Sequence, residues 1–230
     1  HAKVGLFGKN WDLGGVSVIS RCYASLGING FKGGIYLNED DVFCMDGQKL
    51  LNIGGNSYKN AKENWFKITA VSTTNLKKDI TGFQVITREG STRNYTGISS
   101  NGKAPYLTWS ISEEADLHGN TVSYSYNTAG YLQSISYGGN SKLGLAHSRS
   151  VQFSYRPRKI SIVTYTAGIA QVDNQLITAI TMNVNGEVAT QFLIDYQASA
   201  SDDMIATIRK CGADMDCFTT KLQWSYYGLR

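Results

Sequence analysis

Apolar residues alternating with period two constrain this chain more than any other feature, and the clearest run lies between Leu176 and Tyr196. Ile180, Met182 and Val184 alternate up to Asn185-Gly186, and Val188, Thr190, Phe192, Ile194 and Tyr196 alternate away from it. Successive side chains of an extended strand point to opposite faces, so this spacing predicts strands that bury one face each. Asn-Gly accepts the positive φ of a two-residue type I′ turn, which makes the segment a hairpin. The same pattern joins Val122, Tyr124 and Tyr126 through Asn127-Thr-Ala-Gly130 to Tyr131, Gln133, Ile135 and Tyr137, and it returns at Val151, Phe153 and Tyr155. Further strands are predicted at 66–71, 83–87, 92–95, 107–112 and 160–165. Helical spacing is confined to 60–65, room for one turn, and to 202–208, which opens on Ser201-Asp202 but also reads as a strand.

The predicted class is therefore all-β, with antiparallel, Tyr-rich hairpins stacked as a curved sheet or shell segment. The composition agrees: 24 Gly against 2 Pro, 14 Tyr, and only 17% charged residues favour short strands joined by tight turns. A loose repeat runs through the chain. Tyr-x-Tyr, a few polar residues, Gly and a strand ending in Tyr occur at 124–137, with relatives at Phe153-Ser-Tyr155 with Gly168 and at Ile194-Asp-Tyr196. Each unit is a hairpin that cannot bury both faces alone, so stacking is expected. An ordinary antiparallel sandwich would leave the same trace. The 230 residues suffice for one large domain or two small ones. A net charge of +4, with no run of five cations, gives no nucleic-acid footprint. No apolar stretch approaches the ~18 residues of a membrane-spanning helix.

Catalytic constellations are hard to assemble. The three histidines, His1, His118 and His147, stand apart, His118 in a predicted turn and His147 in a polar loop. Glu114 and Asp116 share a strand face and are the candidate pair for glycoside chemistry, weighed against a plain acidic loop. Asp202-Asp203 and Asp214 with Asp216 could ligate calcium, but the twelve-residue acidic loop of that chemistry is missing. Trp65, Trp109 and Trp224, with the tyrosines, could stack on sugars or could form core. The expectation is a non-enzyme without a cofactor or metal.

Cys22, Cys44, Cys211 and Cys217 form an even set. Neither a C-x-x-C knuckle nor a nearby His supports zinc. Of three possible pairings we favour 22–44 and 211–217, worth ~3.4 and ~2.4 kcal/mol as upper, loop-entropy estimates. Two bridges imply an oxidising compartment; four buried thiols in a reducing one is the alternative.

Read in order, five segments resemble one family, the SpvB-type domains. They are Gly5-Leu-Phe-Gly8 through Trp11-Asp-Leu13 to Ile19-Ser-Arg21-Cys22; Asp41-Val-Phe43-Cys44-Met-Asp46-Gly47-Gln48; Phe83-Gln-Val85-Ile-Thr-Arg-Glu-Gly90; Asp116-Leu-His-Gly119-Asn120-Thr-Val-Ser-Tyr124; and Ile208 to Cys217 followed by Trp224. The resemblance covers nearly the whole chain. It implies cysteines at the four positions above. It also implies that Trp11, Asp46, Gly47, Gly119 and Asn120 are turn and packing determinants. SpvB-type domains stand at the N-terminus of large secreted proteins, among them insecticidal toxin-complex B subunits and Rhs/YD-repeat relatives. By resemblance, residues 1–230 are one such β domain, truncated at its N-terminus and excised from a larger chain. Its implied role is a non-catalytic part of a secreted β-shell that holds or delivers a toxic cargo. The implied partners are the FG-GAP-like and YD repeats of its own polypeptide and an A-type translocation subunit. The alternative is an extracellular carbohydrate-binding or adhesin module that uses Tyr and Trp surfaces.

Overall fold

A computed structural model describes residues 4–9, 11–62, 65–72, 74, 76–98, 104–197 and 203–223. His1, Ser201, Asp202 and Trp224, singled out in the sequence, lie outside the described residues. The chain divides into two compact units, one of residues 15–147 with 164–171, the other of the N-terminal segment to Gly14 with 148–163 and 172 onward.

Two short strands, β1 (Val4–Gly5) and β2 (Gly8–Lys9), pair antiparallel and belong to the second unit. The first unit begins with β3 (Val18–Cys22), followed after a short helix α1 (Leu26–Asn29) by β4 (Val42–Met45), β5 (Gln48–Gly54), β6 (Ser57–Asn60), β7 (Lys67–Ser72), β8 (Ile80–Ile86), β9 (Thr92–Ile98) and β10 (Thr108–Ala115). Each pairs antiparallel with the next from β3 to β10, and β10 also pairs with β3 through Thr108↔Ser20 and Trp109↔Ile19. That last ladder closes eight strands into a barrel and removes both sheet edges. β11 (Asn120–Tyr126) and β12 (Leu132–Asn140) continue outward from β10 as a meander. β13 (Arg149–Thr166) and β14 (Ile169–Val184), apart from their hairpin tip at 164–171, belong to the second unit with β15 (Glu187–Tyr196), β16 (Ile205–Gly212) and β17 (Cys217–Lys221), and the five follow one another across the sheet in chain order. The all-β, antiparallel reading holds. Period-two spacing carries no trace of barrel closure. The described part of 60–65 contains no helix, and 205–208 is strand.

Two cores sustain these units. Inside the barrel Ile19, Phe43, Ile68, Phe83, Val85 and Trp109 are fully or almost fully buried. Their rings meet edge to face, Phe83 with Trp109 at 5.1 Å and Phe43 with Trp109 at 5.5 Å, the arrangement that ring quadrupoles favour. The Trp109 indole N–H donates to the Ile80 carbonyl at 3.1 Å, so burial leaves no orphaned donor. In the second unit Ile177, Ile194 and Ile205 are buried beneath Leu6, Phe7 and Tyr196, and the Leu6 carbonyl accepts from the Ile177 N–H at 2.9 Å.

The hairpin read from Leu176 to Tyr196 forms, with Asn185 at φ 52° and Gly186 at φ 87°. One feature of it departs from the alternation. A bulge at Ala189 on β15, opposite Met182 and Asn183, shifts the register. Along β14 the buried face is that of Ile177, Ala179 and Asn183, and Met182 and Val184 face solvent.

The motif residues divide into turns and a lock. Asp46 and Gly47, at φ 50° and 78°, form the two-residue turn between β4 and β5, and Asp46 accepts from Ser17 Oγ at 2.7 Å and from the Val18 N–H at 2.8 Å. Arg21 and Asp41 are the lock. Both side chains are wholly buried and 2.7 Å apart. Asp41 also accepts from the N–H groups of Tyr36 and Leu37, and Arg21 donates to the carbonyls of Tyr106 and Lys77. The Arg21 guanidinium lies 5.3 Å from the Phe43 ring centre and 5.5 Å from that of Trp109, a cation–π arrangement. Burial pulls the Arg21 pKa below its usual value, against the pull of Asp41. Beside the pair a disulfide joins Cys22 to Cys44 across β3 and β4, with Cα atoms 5.9 Å apart, and a second joins Cys211 to Cys217 across β16 and β17.

Removing either partner of a buried pair strands the other charge, so Arg21→Met and Asp41→Asn should each lower unfolding free energy by about 3–5 kcal/mol. In urea denaturation the double variant should lose less than the sum of the two. Glycine substitutions should rank by space. Gly47→Ala meets open solvent and carries only the cost of positive φ, about 1 kcal/mol. Gly119, at φ 89°, would place a Cβ 2.7 Å from Lys142 Cγ, so Gly119→Ala should show the larger drop in Tm.

Candidate functional site

β10 gives one of its edges to two partners in turn, and the cleft of interest opens where they change over. Thr108 to Ser110 pair with β3, whereas Glu113 to Ala115 pair with β11, and the opposite edge is bulged between Ile111 and Glu113. The two partner strands diverge around Ile111, leaving a cleft of about 410 Å³ at the barrel wall. Its lining includes Ser17 from the segment entering β3, Asp46 from the β4–β5 turn, Arg93 from β9, Ile111 and Glu114 from β10 and Tyr124 from β11. Backbone register accounts for the grouping, since Arg93 and Glu114 are direct cross-strand partners.

Hydrogen bonds fix most of the floor. Ser17 Oγ bridges Asp46 Oδ2 at 2.7 Å and the Tyr95 hydroxyl at 2.8 Å. Arg93 Nε stands 3.1 Å from Glu114 Oε1. That contact is an ion pair but not a well-angled hydrogen bond, for the buried Nε has no hydrogen-bond partner. Two carboxylates, one guanidinium, two hydroxyls and one ring face can therefore hold a small polar ligand.

The residues picked from the sequence separate in space and in role. Glu114 lines the cleft, but both Asp116 oxygens are engaged in the turn before β11. Oδ1 accepts from the N–H groups of His118 and Asn120 at 2.8 and 2.9 Å, and Oδ2 from Asn120 Nδ2 at 2.7 Å. The bond from Asn120 is the main reason its carboxyl sits below the ordinary range. Asn120 also accepts from Asn140 Nδ2 at 3.0 Å, which ties the turn to the end of β12. Asn127 repeats the device, accepting at Oδ1 from Ala129 and Tyr131 N–H groups ahead of β12. Trp11 is 41% exposed, and its backbone, bonded to Phe7 and Gly8, is the part that shapes the β2 turn. His147 bonds Thr121 at 3.0 Å. Asp203 is buried against Arg156 at 3.1 Å, and Asp214 accepts from the Asp216 N–H at 3.3 Å. Among the described residues no three His, Cys, Asp or Glu side chains group as metal ligands. Of the tryptophans proposed for sugar stacking, Trp109 is wholly buried and unable to stack on a ligand, Trp65 is 75% exposed, and Trp224 lies outside the described residues. Sequence reasoning missed Ser17 and Arg93 and the buried Tyr95 that supports Ser17; the one signal for them was Arg93 and Tyr95 alternating within a predicted strand.

No protein-family model and no curated protein sequence matches the chain. Solved structures do. The chain superposes on the N-terminal domain of the effector protein SpvB from Salmonella typhimurium strain LT2 with a TM-score of 0.72 and 15% identity, over 91% of this chain and 90% of that one. It superposes on a chain of the TcdB2-TccC3-Cdc42 crystal structure with a TM-score of 0.68 and 14% identity, over 95% of this chain but 14% of the other. A chain of the Photorhabdus luminescens Tc holotoxin pore gives a TM-score of 0.64 at 14% identity, over 93% and 14%. The fold is that of the SpvB and Tc-toxin-type domain.

Tyrosines surround the cleft, and burial sets their acidity. Desolvation raises the pKa of Tyr95, and that of Tyr124, where Glu114 adds to it. Tyr126, whose hydroxyl donates to the Ile111 carbonyl at 2.9 Å, is pushed up to about 12. A folded-state pKa above the unfolded value of 10.0 means that the folded protein holds its proton longer. The associated stability is complete below pH 10 and is lost as pH rises toward about 12. Urea midpoints should therefore fall across that window in the parent, and fall less steeply in Tyr126→Phe.

Proposed function

We propose that this chain is a non-catalytic structural module of a large secreted toxin-type protein, lending β-strands to the wall of a shell that holds or delivers a toxic cargo. The observation that carries the reading is the coverage of the structural matches. One fold accounts for 90% of the SpvB N-terminal domain and for 14% of a TcdB2-TccC3 chain, so it serves as a component within longer polypeptides. The second unit offers a place for such continuation. β17 pairs with β16 and, among the described residues, with no strand on its other side, and Phe218 on it is 76% exposed. An open edge with an exposed aromatic is a template for a further strand. The two disulfides suit an oxidising, extracellular setting. The fitting partners are the remainder of its own polypeptide, with FG-GAP-like and YD repeats, and an A-type translocation subunit.

An antibody raised against the chain should detect, in blots of source material, a polypeptide several times the size of these 230 residues. Electron microscopy of that polypeptide should then show the sheet of β13–β17 continuing into a wall. A native product of this length, or a larger one with the β17 edge left bare, would overturn the proposal.

A further inference from the structure

We infer that the cleft at the β10 changeover is a saccharide subsite that takes one neutral hexopyranose ring. The inference stands apart from the shell reading and rests on the chemistry of the lining. A ring sugar presents vicinal hydroxyls that donate and accept at once, together with an apolar C–H face. The cleft supplies the complement. The Glu114 carboxylate and the Ser17 hydroxyl can accept, the Arg93 guanidinium can donate, and the half-buried Tyr124 ring offers a face. Arg93 and Glu114 form a partly exposed ion pair, 3.1 Å apart, on the cleft wall. A sugar hydroxyl set against that pair can donate to the Glu114 carboxylate and accept from the Arg93 guanidinium.

Other ligand classes fit less well. An anion would meet two carboxylates, Asp46 and Glu114, against a single guanidinium. A cation would face Arg93, while Asp46 is already satisfied by Ser17 and the Val18 N–H. A metal lacks its ligands among the described residues. The volume of about 410 Å³ lies at the small end of ligand sites, and the rigid barrel strands preorganise the walls. The exposed Trp65 has no part in the site.

Titration of the 230-residue chain with methyl α-D-glucopyranoside, methyl α-D-mannopyranoside and methyl β-D-galactopyranoside, followed by NMR, tests this directly. At least one glycoside should shift the Arg93 Nε–H resonance together with amides at Ser17, Asp46 and Tyr124. Tyr124→Ala and Glu114→Gln should each weaken that binding by about tenfold or more, with spectra that stay dispersed, and Trp65→Ala should leave it unchanged. Should either cleft variant fail to fold, the Arg93 Nε–H response in the parent decides alone. Silence of these resonances with all three glycosides overturns the inference. So do shifts confined to the surroundings of Trp65 or Tyr165, or undiminished binding by folded Tyr124→Ala.

Discussion

The buried contact between Arg21 and Asp41 is the constraint on which the barrel unit depends. Two opposite charges with no solvent exposure are tolerable only where every remaining lone pair and proton is met, and here the barrel meets them. The backbone of residues 36 and 37 donates to Asp41, while the carbonyls of Tyr106 and Lys77 accept from Arg21. Four separate stretches of chain are thus drawn to one point between the rings of Phe43 and Trp109. Such a pair contributes little net stability compared with a well-packed apolar substitute. Its effect is on geometry, since a misplaced segment would leave a charge unpaired in an aromatic interior. The Cys22–Cys44 bridge lies one residue from Arg21 and holds the same two strands.

Around that lock the architecture is assembled from short strands and glycine-assisted turns. Asp46-Gly47 and Asn185-Gly186 close two-residue hairpins with positive φ at both positions. The turns at Asp116–Asn120 and Asn127–Tyr131 instead use an acceptor side chain at their first residue and a glycine at positive φ at their fourth. These connections are rigid and local. β10 is the exception, because it serves three strands, β9 along one edge and β3 and then β11 along the other. A strand shared in this way cannot be covered continuously, and the uncovered stretch near Ile111 becomes the cleft. The concave site is a by-product of how the barrel hands over to the meander.

Much of this was legible in the residues. Alternation located the strands from β8 to β15 in part: β13 runs unbroken through both predicted strands at 151–155 and 160–165, and β14 begins at Ile169, ahead of the predicted Leu176. Asn185-Gly186 marked its turn because few residue pairs accept that backbone. The motif Asp41-Val-Phe43-Cys44-Met-Asp46-Gly47 stood out as a unit. In the fold Asp41 pairs with Arg21, Phe43 supplies a core ring, Cys44 closes a disulfide, and Asp46 with Gly47 makes a turn. Other features left no local mark. β5 and β6 are short, and Asn and Gly interrupt their pattern. The bulge at Ala189 shifted the register of a hairpin whose alternation looked unbroken, and the face of Met182 and Val184 proved to be the solvent one. Asp116 resembled a free carboxylate because nothing in its neighbourhood revealed that Asn120 and two backbone N–H groups engage both oxygens. Arg93 and Glu114 are far apart along the chain, a separation that only strand register converts into contact.

The sequence by itself determined the class of structure and the turn chemistry, because period two and positive-φ tolerance are properties of neighbouring positions. The tertiary structure alone decided that the first strands close into a barrel, that Arg21 meets Asp41 within it, and that Ser17, Asp46, Arg93, Glu114 and Tyr124 share one cleft. Those outcomes depend on which edges of β10 are occupied. Edge choice is settled by competition among non-local ladders of nearly equal backbone energy, decided by which arrangement buries the aromatic core and pairs the enclosed charges.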